Sequence, residues 1–100
     1  MTNTNPQWPF DSPPNVACIT VRAIVDSGSP ILVAVRDADD GGWQFLTGSD
    51  VTEADAMIVS LQSMVNRDPT LLHLAGIQPG GSAVRDSRTA PWTFHIAGDQ

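Results

Sequence analysis

One hundred residues, 41% of them apolar and 16% charged, make a single domain able to bury roughly two-thirds of its unfolded surface, and exclude a charge-rich disordered chain. The net charge of −6 is set against five arginines, Arg22, Arg36, Arg67, Arg85 and Arg88, that are scattered along the chain. That pattern lacks the basic stripe a nucleic-acid interface requires and favours a basic protein as partner.

Residues Met1 to Asn15 contain four prolines among small polar residues, which disfavours both helix and ladder and predicts a flexible arm. Trp8 and Phe10 are its two aromatic side chains and are candidates to anchor it. Residues 16–100 are expected to form one α+β domain. In Ala17 to Val25, the residues Ala17, Ile19, Val21, Ala23 and Val25 alternate with Cys18, Thr20, Arg22 and Ile24, which predicts a half-buried strand. Asp26 to Pro30 reads as a turn. Ile31, Val33 and Val35 then continue the apolar face on a second strand, with Leu32, Ala34 and Arg36 opposite, giving an expected antiparallel hairpin.

An acidic turn from Asp37 to Gly42 leads into a short strand, Trp43 to Thr47. In the next stretch, Asp50 to Asn66, the period changes: Met57, Ile58, Leu61, Met64 and Val65 fall on one face of a helix that Asp50 or Thr52 could cap. Asp68 followed by Pro69 has the form of an N-cap and first helical residue of a shorter helix carrying Leu71, Leu72 and Leu74 and stopped at Gly76. Pro79, Gly80 and Gly81 make a turn into a strand over Ser82 to Asp86, and Trp92, Phe94 and Ile96 alternate in a last strand. The order predicts an antiparallel sheet of about five strands with one main and one short helix packed on one face.

Several groups invite a chemical reading. Asp37, Asp39 and Asp40 with Gly41 and Gly42 suggest a calcium loop, but its fifth position would be Gly41 and its twelfth Gly48, where a bidentate Glu is needed, so a solvated turn is expected. His73 and His95 are the candidate general bases and Cys18 the one thiol. No nucleophile elbow surrounds a serine, and no spacing links either histidine to zinc ligands. No metal or cofactor is therefore expected. Cys18 has no disulfide partner, and neither a secretory leader pattern nor a membrane-length apolar run is present, so a cytoplasmic setting is expected.

The order of pieces is nonetheless distinctive: the Ala-Cys-Ile start of the first strand, Gly42-Trp43-Gln44-Phe45-Leu46-Thr47-Gly48, Asp68-Pro69, and Gly81-Ser82-Ala83-Val84-Arg85-Asp86. It resembles, over Ala17 to about Trp92, a family of small bacterial proteins catalogued as a domain of unknown function and grouped with immunity proteins of polymorphic toxin systems. The resemblance implies no catalytic residue. It implies binding and neutralisation of a toxin made by the same cell. Asp37, Asp39, Asp40, Trp43, Arg85 and Asp86 are the candidate partner-binding residues, the first four as an aromatic side chain beside charges. A regulatory module for another cellular partner, and a small enzyme using His73, His95 or Cys18, are the other readings open at this point.

Overall fold

A computed structural model describes residues 8–49 and 53–96 of the chain. Its elements are β1 (Ala17–Val21), α1 (Arg22–Ser27), β2 (Val33–Arg36), β3 (Trp43–Leu46), β4 (Ala56–Ser60), α2 (Leu61–Arg67), β5 (Ser82–Val84) and β6 (Thr93–His95), with 3-10 helices at Glu53–Asp55 and Pro69–Leu74. The class is α+β, as the sequence predicts. The sheet, however, has six strands among the described residues, in the order β4-β1-β3-β2-β5-β6, and it is mixed. Every pairing is antiparallel except β1 with β3, which run parallel with Ile19 opposite Gln44.

The expected hairpin of the first two strands does not form. The chain leaves the sheet after Val21 into α1, which ends at Gly28 in the left-handed region at φ +73°, where the Gly28 N–H reaches Ala23 O. Ile24 turns into the core from this helix and is 2% exposed. A six-residue helix is too short to establish a period of its own, so Ala23 and Val25 extend the strand's alternation by coincidence. On β2 the inward face is Ala34 and Arg36 rather than Val33 and Val35, because pairing to Phe45 and Trp43 on β3 puts them on the core side.

The long helix over Asp50 to Asn66 is also replaced. Asp50 and Thr52, its expected caps, lie outside the described residues. Ala56–Ser60 is a strand, paired along its full length with β1 from Ala17↔Ser60 to Val21↔Ala56. The helix begins only at Leu61, where Ser60 is the N-cap and its side chain accepts the Ser63 N–H. Leu61, Met64 and Val65 still form the buried face, whereas Ile58 is 75% exposed. The Asp68-Pro69 start is where the sequence puts it: Asp68 accepts the Thr70 N–H, and Leu71 and Leu74 are buried, in a 3-10 rather than an α-helix.

Residues 1–7 of the proline-rich segment lie outside the described residues. From Trp8 onward it is packed. Phe10 is 6% exposed and meets the Trp43 ring edge to face at 5.5 Å. Gln62 N–H donates to Pro14 O and Leu61 N–H to Val16 O, so this stretch satisfies two of the orphan donors that begin α2. The core joins Phe10, Trp43, Phe45, Leu61, Met64, Leu71 and Leu74 in one cluster on one face of the sheet.

Candidate functional site

Asp37, Asp39 and Asp40 stand together at the β2–β3 turn, and their positions follow from turn chemistry. Asp37 Oδ1 accepts the Asp39 N–H at 2.7 Å, Asp40 Oδ1 accepts the Gly42 N–H at 2.7 Å, and Gly41 takes φ +71° to bring the chain round. Asp39 and Asp40 are exposed and Asp37 half-buried. No cluster of three or more metal-ligating side chains occurs among the described residues.

Trp43 and Arg85, two of the six candidate contact residues, turn inward. Trp43 is 2% exposed, stacked on Phe45 at 5.8 Å with the Arg36 guanidinium 5.1 Å above its ring. Arg36 in turn donates to Gly41 O, Ile77 O and Asp11, which fastens the acidic turn to the body of the fold. Arg85 is 6% exposed, and its guanidinium donates to Ile31 O, Thr70 Oγ1, Arg88 O and Asp68 while stacking 4.2 Å from the Trp92 ring. Both arginines hold the structure together from inside. Burial alone would raise the Asp68 carboxyl pKa, but hydrogen bonds from Thr70 and Arg85, with the Arg85 charge, outweigh it and hold it below the ordinary range.

Asp86 is exposed, yet it is not beside the acidic turn. Val35 pairs with Ser82 and Val33 with Val84, so Asp37 and Asp86 leave the β2–β5 ladder at opposite ends. The same register sorts the charges of the molecule. Because β1 and β3 are parallel, α1 follows β1 at the end of the sheet away from the Asp37–Asp40 turn. The three arginines that are not buried gather around α1: Arg22 pairs with Asp26 at 3.7 Å, Arg67 donates to Ile24 O and Val25 O, and Arg88 donates to Gly28 O. Arg67 and Arg88 act on the carbonyl-rich end of the helix, where cations are favoured, whereas Arg22 is its first residue.

Cys18, His73 and His95 are not assembled into a nucleophile and base. Cys18 is buried on β1, its thiol donates to Val59 O, and burial pushes its pKa up to about 11. His95 lies on β6, with three strands between it and β1. His73 is exposed on the 3-10 helix and shares a hollow with Arg85 and Trp92.

Two residues that the sequence does not single out adjoin the acidic turn. Ile19 and Ile58 are 42% and 75% exposed and share a concavity of about 250 Å³ with Asp37, Asp40 and Gln44. The periodic pattern hides them, since Ile58 reads as a helix-core residue and Ile19 as one member of an alternation. Comparisons with protein-family models, with curated proteins and with solved structures give no match to the chain. No helix among the described residues is long and apolar enough to cross a membrane.

Proposed function

We propose that this chain is a non-catalytic, acidic protein-binding module of the cytoplasm, an immunity-type inhibitor that captures a basic protein such as a toxin domain. The observation that carries the reading is the partition of charge along the sheet. Asp37, Asp39 and Asp40 project from one end with no arginine bonded to their carboxylates among the described residues. Arg36, beside the turn, is buried and its guanidinium is engaged by Gly41 O, Ile77 O and Asp11; Arg85 is buried at the other end of β2, and the three exposed arginines lie at α1. A net charge of −6, with three neighbouring carboxylates that no arginine pairs at the β2–β3 turn, steers a basic partner toward that turn. The stacked and bonded environments of Arg85 and Trp43 favour a supporting role for those two residues.

The test is affinity capture from the source cells with the native chain and with a triple Asp37→Asn, Asp39→Asn, Asp40→Asn variant. A basic protein retained at low salt, released at moderate salt and not retained by the variant is the expected result. Equal retention by both forms would remove the acidic turn from the reading, and substrate turnover that depends on His73 or His95 would replace it with an enzymatic one.

A further inference from the structure

The sheet has a second face, opposite the core. Cross-strand register places Ile58, Ile19, Gln44, Val35, Ser82 and His95 in one transverse row running over all six strands. Leu46, Val33, Val84 and Thr93 form the next row by register, the three aliphatic side chains half-buried and Leu46 packed against the core cluster. An open sheet face in water ordinarily carries polar side chains outward. Here the outward positions are mostly aliphatic, and the β4 end is the barest: Ile58 is 75% and Ile19 42% exposed. β4 is also an edge strand, Ala-Met-Ile-Val-Ser, with no charge or proline to protect it. Two neighbouring exposed isoleucines beside an unprotected strand edge are a feature of interfaces.

Resting on the reading of the chain as an acidic binding module, we infer that the β4–β1–β3 part of this open face is its docking surface, for a protein partner presenting an aliphatic strip edged with lysine or arginine. The aliphatic strip lies across Ile58 and Ile19. The cationic side chains then reach the carboxylates of Asp37 and Asp40, which line the same concavity of about 250 Å³. The turn holds those carboxylates ready, since only Oδ1 of each is engaged by a backbone N–H among the described residues. Charge selects the occupant: none of the arginines lies in the row, and two copies of a chain of net charge −6 repel one another while a basic partner is attracted. Long basic side chains suit such a site because their stems cover apolar surface while their heads stay at the carboxylates.

The test uses a synthetic ten-residue peptide alternating lysine and valine, its glutamate–valine counterpart, and backbone amide NMR of the full chain. Saturable binding of the lysine peptide with shifts centred on Ile19, Gln44 and Ile58, and none with the glutamate peptide, is the expected result. The double variant Ile19→Thr, Ile58→Thr should weaken that binding about tenfold or more. Ile58→Thr alone, at a position 75% exposed, should weaken it in part without altering the melting temperature. If Asp37→Asn with Asp40→Asn weakens binding but the isoleucine variants do not, the docking face is wrong and the acidic reading stands. If no variant matters, or no saturable binding occurs, both are wrong. Sedimentation showing a dimer that Ile58→Thr dissociates would give the face to a second copy and overturn the assignment of a basic partner.

Discussion

Arg85 and Asp68, 17 residues apart in the chain, meet with Nη2 2.5 Å from Oδ2, and their side chains keep only 1% and 13% of their surface exposed. Around this pair the guanidinium also donates to Ile31 O, Thr70 and Arg88 O, so one side chain ties together β5, the approach to β2 and the start of the 3-10 helix. Removing one partner of a buried, bonded pair leaves the rest unsatisfied. Arg85→Met should therefore cost roughly 3 to 5 kcal/mol in urea denaturation. Arg85→Lys should recover little of it, because an ammonium cannot reproduce the planar fork.

The same pair makes stability depend on acid. The folded-state pKa of Asp68 is lowered, so its contribution is fully present above the unfolded value of about 3.9 and is lost as pH falls through the folded value. The stability difference between the native chain and Asp68→Asn should be constant from neutral pH down to about 5 and shrink below about 4. Melting curves of both forms across that range would show it, and a difference that grows on acidification would contradict the pairing.

Phe10 is predicted to belong to the fold although it sits among prolines. Its ring packs on Trp43 and is 6% exposed, so Phe10→Ala should cost roughly 3 to 5 kcal/mol. The neighbouring Asp11, with a side chain 65% exposed, should matter less: Asp11→Asn is expected to cost under about 1 kcal/mol. Equilibrium denaturation of both variants distinguishes a packed segment from a tethered one.

Ile58 and Leu61 separate the strand from the helix. If residues 57–65 presented a single helical face, truncating either would damage the core equally. With Ile58 75% and Leu61 0% exposed, Leu61→Ala should cost roughly 2 to 5 kcal/mol and Ile58→Ala should stay within about 0.5 kcal/mol. Equal losses would restore the continuous helix.

Local chemistry was legible in the sequence wherever it decides the conformation alone. Asp68-Pro69 begins its helix there because a carboxylate cap and a residue with fixed φ act within three residues. The Asp37–Gly42 turn and the Trp43–Leu46 strand follow the same logic, as do the short strands β5 and β6. What the sequence could not decide was which period a short apolar run would adopt. Ala56–Ser60 carries β-branched residues and helix-compatible spacing at once, and the free edge of β1 settles it as a strand. The break at Val21 and the parallel seating of β1 against β3 depend likewise on partners distant in the chain. The two buried arginines make the point most sharply. Residue type alone places arginine at the surface. Only the tertiary structure brings Asp11 to Arg36 across 25 residues and Asp68 to Arg85 across 17, because the donors of a guanidinium can be buried only where the folded chain delivers enough acceptors to one point.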